Sequence, residues 1–138
     1  MIGIDTNILA RYYIEDRNDE EASHQRIVAR RLIESGRALM VSKTVILEFE
    51  WIMRGYYAFT ANQVISVLQH LLSLPQVTIE DRSAVEHAIS NCEAGITLAD
   101  ALHHASYREC ESMATFDDRK FARRAKKLRL SPTVMVLK

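Results

Sequence analysis

Four acidic residues stand where carboxylates could act together. Asp5 ends a short apolar run over residues 1–4, and Asp117 follows a similar run over 113–115. Asp100 lies in the first turn of a helical pattern opening at Thr97, and Glu48 lies just over one turn into the helical pattern that follows residues 38–42. Side chains on a helix lean toward its N-terminus, so Glu48 can reach back over the end of the strand before it. Four carboxylates converging within ~5 Å would repel by roughly 3 kcal/mol per pair at an effective dielectric of about 20, more than a domain of ordinary stability can hold without a cation. Oxygen ligands without histidine or cysteine favour Mg2+ or Mn2+ over zinc. Such a site suits phosphodiester hydrolysis, in which the ion activates a water and offsets charge developing on the phosphate and the leaving oxygen. No GxSxG elbow, P-loop or GxGxxG motif offers a competing chemistry.

Each acid also has a purely structural reading. Asp5 and Asp117 can be helix N-caps, and Thr97-Leu98-Ala99-Asp100 matches a capping box in which the threonine caps and the acid reaches back. On a helical wheel with Val45, Phe49, Ile52 and Met53 on the buried arc, Glu48 borders one edge and Glu50 the other, so spacing alone leaves open which of the two belongs to a site.

The elements that must position these acids follow from periodicity. Residues 1–4, 38–42, 76–79, 113–115 and 133–137 read as strands. Helical patterns cover a stretch from Ile8 and residues 19–35, 44–57, 61–73, 81–94, 97–110 and 118–128. In the second of these, Ala22, Ile27, Val28, Leu32 and Ile33 form the apolar side. Strands separated by helices imply right-handed crossovers, hence an α/β fold with a mainly parallel central sheet and helices on both faces, whose sites form beyond the carboxyl ends of the strands. Four glycines, two prolines and no low-complexity stretch leave no visible linker, so residues 1–138 read as a single domain.

Composition narrows the class further. The 138 residues include 18 basic and 18 acidic ones, and 48% are hydrophobic, enough for a core without a disulfide or zinc staple. Cys92 and Cys110 have no CxxC partner and read as reduced thiols of a cytoplasmic protein. No apolar run is long enough to span a membrane, and the opening residues, which reach an acid at Asp5, do not read as a signal peptide. The zero net charge is uneven, however: all eight charged residues from 119 to 138 are basic, which leaves residues 1–118 at −8. Residues 119–129 alone carry seven cations, with Phe121, Ala122, Ala125 and Leu128 on the apolar side. This is an amphipathic surface helix whose charged face is either simply solvated or follows an RNA backbone, with Arg119, Lys120, Arg123, Arg124, Lys126 and Lys127 as the RNA contacts. His103 and His104 follow Asp100 at helical spacing and read as exposed or packed side chains rather than ligands. Trp51, Tyr56, Tyr57 and Phe59 read as core or subunit contact rather than a base-stacking platform.

The segments MIGIDTNILARYY, VSKTVILEFEW, TLADALHHA and MATFDDRKFARRA resemble, in that order and at those separations, the PIN-domain ribonucleases of the VapC-like toxin group. The resemblance runs from Met1 to about Leu137. It implies a Mg2+- or Mn2+-dependent endoribonuclease, cytoplasmic, usually a homodimer, and held inactive by a small antitoxin that also binds DNA, so that DNA is a partner only through the antitoxin. It selects Glu48 over Glu50 and assigns Asp5, Glu48, Asp100 and Asp117 as catalytic and metal-holding acids, with Asp5 and Asp100 as direct ligands and Thr6, Asn7 and Thr115 as the small polar residues that orient them. Many relatives carry an aspartate three residues before the acid matched by Asp100, and this chain has Thr97 instead, one potential ligand fewer. Two other classes compete: a catalytically silent PIN-like module that binds RNA or protein, and a phosphatase using Asp5 as nucleophile. Asn7 and the lack of a lysine motif argue against the phosphatase.

Overall fold

The computed structural model describes residues 1–138, which form two compact units, Met1–Arg82 and Ser83–Lys138. In the first, β1 (Ile2–Gly3), β2 (Leu39–Val41) and β3 (Val77–Ile79) form a parallel sheet in that order, with Ile2 opposite Leu39 and Leu39 opposite Val77. The crossovers are α1 (Thr6–Tyr13) with α2 (Glu20–Ile33), then α3 (Lys43–Trp51) with α4 (Ala61–Ser73). Leu39 and Val41 are fully buried, as are Leu9, Ile46, Phe49 and Met53. The α/β class and the parallel pairing are as the sequence predicts.

Two local features depart from the periodicity. Helix α2 buries Ala22, Ala29 and Ile33, while Ile27 and Val28 are half or more exposed. At 3.6 residues per turn the three buried positions form one narrow stripe with Ile27 and Val28 on its far side, and two of the three are alanines, which let α2 lie close against α1. The long helix expected over 44–57 is α-helical only to Trp51 and continues as a π-helical turn, Ile52–Tyr56, closed by the Tyr57 N–H donating to the Ile52 carbonyl at 3.1 Å.

The second unit contains α5 (Arg82–Glu93, whose first residue closes the first unit), α6 (Leu98–Ser106), β4 (Ser112–Thr115), α7 (Phe121–Lys127) and β5 (Thr133–Val136). Strands β4 and β5 pair in parallel, Ser112 opposite Thr133 and Thr115 opposite Val136, so strand pairing is divided between a three-stranded and a two-stranded sheet. Helix α6 stops four residues short of the expected Cys110. Tyr107, Arg108, Glu109 and Cys110 are all exposed, and Tyr107, Arg108 and Cys110 close the chain with tighter bonds to carbonyls three residues back.

His104 joins the parts of this unit. It is 2% exposed, with Nε2 2.6 Å from the Pro132 carbonyl oxygen and its ring edge-on to Phe121 at 5.6 Å between centroids. It therefore ties α6 to α7 and to the turn before β5, while its neighbour His103 is exposed. Replacing His104 with alanine removes buried packing and orphans a carbonyl, an expected loss of about 2–4 kcal/mol in urea denaturation. A change under about 0.5 kcal/mol would show that this connection is dispensable.

Candidate functional site

In the first unit, parallel pairing sets the ends of β1 and β2 at one sheet edge, so Asp5 and the start of α3 emerge there. Asp5 is the N-cap of α1: its Oδ1 accepts the Thr6 N–H at 2.7 Å, and the rest of the exposed carboxylate is free. Thr6 is buried, and its hydroxyl is the one buried side-chain polar atom without a hydrogen-bond partner. Asn7 is exposed in the first turn.

On α3 the two acids left open by the helical wheel separate cleanly. Glu48 is exposed and unpaired, whereas Glu50 is 9% exposed and bound by Arg54 Nε at 2.8 Å. The buried arc of α3 centres on Ile46, Phe49 and Glu50 rather than on Val45, which turns Glu48 outward. Two further acids at this edge, which sequence reasoning did not single out, hold structure together. Glu80 accepts the Lys43 N–H at 2.9 Å, capping α3, and Asp81 pairs with Lys43 Nζ at 3.1 Å. Their position directly after β3 was the available signal.

The second unit holds the other two acids. Thr97 caps α6 by accepting the Asp100 N–H at 3.3 Å, but the reciprocal bond of a capping box does not form, in contrast to α4, where Thr60 and Gln63 make both. The half-buried Asp100 carboxylate is left free for a ligand. Asp117 does not cap α7, which starts at Phe121. It sits instead in a turn: the Thr115 hydroxyl accepts the Asp117 N–H at 3.1 Å, and Asp117 Oδ1 accepts the Arg119 N–H at 2.9 Å. That turn ties the acid to the first of the basic residues and delays the helix expected from 118.

Asp100 and the basic helix share a cleft of about 590 Å3. Gly95, Ile96, Thr97, Asp100 and Phe121 form part of its wall, and Arg119, Lys120, Arg123, Arg124 and Lys127 supply five cations against the single carboxylate. Gly95 adopts φ +96°, which L side chains rarely reach, and the Arg124 guanidinium lies against it, 3.5 Å from where a Cβ would stand. The turn between α5 and α6 thus helps to position Arg124. Lys126, grouped with these cations by sequence, lines a separate cavity on the other flank of α7.

The donor set is all oxygen: carboxylates with free lone pairs and, beside Asp5, an unpartnered hydroxyl. That chemistry fits a hard divalent cation rather than zinc. In neither unit are three histidine, cysteine, aspartate or glutamate side chains grouped as a finished metal centre. Trp51 and Tyr56 are exposed, so neither serves the core. Neither cysteine is in a disulfide. No helix is long and apolar enough to cross a membrane.

No curated protein matches the chain. The sequence profile of the PIN domain matches residues 2–127, a span that includes all four acids and nearly all of the basic stretch. The chain therefore belongs to the PIN-domain family, whose members are in general nucleases.

Proposed function

We propose that the protein is a Mg2+- or Mn2+-dependent endoribonuclease in which Asp5, Glu48, Asp100 and Asp117 are the catalytic and metal-holding acids. The observation that carries this reading is the cleft in which the free Asp100 carboxylate faces five cations. An excess of fixed positive charge beside an unengaged carboxylate suits a polyanion with a hydrolysable backbone better than it suits a small neutral substrate. Those acids would hold the divalent ion, which when bound would supply an activated water and offset charge at the phosphate. Arg119, Lys120, Arg123, Arg124 and Lys127 hold the backbone, and Thr6, Asn7 and Thr115 support the acids. Thr115 does so by fixing the turn that presents Asp117. Phosphate contacts of this kind position RNA without selecting its sequence.

The resemblance of four segments to VapC-like toxins extends the proposal. On that basis the protein is the cytoplasmic toxin of a toxin-antitoxin pair, a homodimer over one PIN domain, neutralised by a cognate antitoxin. A neighbouring reading frame for a small protein with a DNA-binding N-terminus is the expected genomic context. The second reading is a silent module that holds RNA by the basic helix alone, and the four intact acids argue against it.

The two readings part in a cleavage assay. Purified protein with Mg2+ or Mn2+ is expected to cut structured RNA, and EDTA or the double substitution Asp5→Asn with Asp100→Asn to lower the rate more than about 100-fold while the circular dichroism spectrum is retained. Binding without cleavage in the parent protein selects the silent module. Undiminished cleavage by the double variant removes these acids from the mechanism.

The cations make a separate prediction. Glutamine at Arg119, Lys120, Arg124 and Lys127 should flatten the salt dependence of RNA affinity by about 0.7 in log-log slope for each phosphate that is no longer neutralised. Lys126→Gln should leave that slope unchanged, and an equal effect from Lys126 would show that RNA runs over both flanks of α7.

A further inference from the structure

The other flank of α7 carries a cavity of about 640 Å3 between that helix and β5. Its floor is apolar, formed by Ala122, Ala125, Leu130, Val134 and Val136, and its charged residues are Arg123, Lys126 and Arg129 against the single acid Asp118. Strand β5 pairs on one side only, with β4. In a parallel ladder the N–H and C=O of one residue point to the same side, and sides alternate along the strand. The Leu137 N–H donates to the Thr115 carbonyl at 2.8 Å, so Leu137 and Met135 face β4. The main-chain groups of Val134 and Val136 therefore face the unpaired edge, and both residues line the cavity, together with Thr133.

Arg129 adds a separate observation. The Leu130 N–H donates to Ala125 O and the Arg129 N–H to Lys126 O, a Schellman closure of α7 that puts Arg129 at φ +55°, the position where glycine is the unstrained choice. A cation stands there in spite of the backbone conformation.

We propose that this edge docks an extended acidic segment of a partner protein, which adds as a strand beside β5. Its main chain bonds to Val134 and Val136, its apolar side chains lie on the valine and alanine floor, and its carboxylates meet Arg123, Lys126 and Arg129. Charge complementarity selects this occupant. A second copy of the chain would bring the same cations against each other, and an RNA strand would find no aromatic ring in the cavity for its bases. The inference does not depend on the nuclease reading.

The test titrates the full-length 15N-labelled protein with a capped peptide of about ten alternating valine and glutamate residues, a length that covers one strand. The Val134 and Val136 amide resonances are expected to shift and saturate. Methylating alternate peptide nitrogens on the bonding side should abolish binding, a control that needs no change in the protein. Lys126→Glu with Arg129→Glu should weaken affinity more than about tenfold. Arg129→Gly should weaken it while raising Tm, which separates loss of the cation from loss of the fold. The proposal is overturned if the two amides do not move, if the methylated peptide or a valine–lysine peptide binds equally well, if oligouridylate produces the same saturating shifts, or if the amides move with protein concentration alone.

Discussion

Parallel strand pairing is the constraint on which the rest of the architecture depends. A parallel pair cannot be closed by a tight turn, so each strand must be followed by a crossover, and the ends of paired strands open at one edge. In the first unit this places Asp5, the start of α3 and the Glu80–Asp81 pair at the same edge of a three-stranded sheet. In the second, the same rule places Asp117 beyond β4 beside the end of β5, where Leu137 bonds back to Thr115. Because β1 has only two paired residues and β2 and β3 three each, very little chain separates the buried sheet from these exposed acids.

An acid at such an edge has two uses, and the hydrogen bonds distinguish them. Glu50, Glu80 and Asp81 are engaged: each is held by a cation or a helix N-terminus, and removing it would take the carboxylate from Arg54, the cap from α3 or an ion pair from Lys43. Asp5 and Asp117 each give one oxygen to a main-chain N–H, which orients the carboxylate and leaves lone pairs over. Glu48 and Asp100 give none. Both are open to solvent or to a ligand, which is the condition the proposed metal site requires. The unpartnered Thr6 hydroxyl beside Asp5 belongs to the same pattern, since a buried hydroxyl without a partner costs about 1–3 kcal/mol.

Much of this was legible in the sequence because the elements obey strong local rules. Thr97 caps α6, as the Thr97–Asp100 pattern predicts, and the order of strands and helices expected from periodicity is kept through both units. The boundaries that moved are those decided by side-chain contacts that periodicity does not encode. The Asp117–Arg119 bond holds a turn open where a basic helix was expected to begin, and buried Glu50, held by Arg54, rotates α3 from the arc its valine suggests. Helix α2 shows the limit of hydropathy reading, because its contact surface is set by small Ala22 and Ala29 rather than by Ile27 and Val28. The choice of Glu48 over Glu50 came from family resemblance and not from spacing; in the structure Glu50 is buried and held by Arg54, and Glu48 is the exposed acid of α3.

The basic helix shows how a single periodicity can serve two surfaces. Helix α7 is seven residues long, and at about 100° per residue its buried Phe121, Ala122 and Ala125 occupy one side. The four cations within it cannot then form one stripe. Arg124 falls on one flank of the buried side and Lys126 on the other, with Arg123 and Lys127 between them on the outer face. The cavities follow this geometry: Arg124 and Lys127 line the cleft with Asp100, Lys126 lines the groove with Val134 and Val136, and Arg123 lines both. A sequence count reads this segment as one patch of positive charge, but the helical repeat divides it into a cationic surface beside a free carboxylate and a second cationic surface with an apolar floor. The neutral charge of the whole chain conceals both, because the acids that balance these cations lie before residue 119.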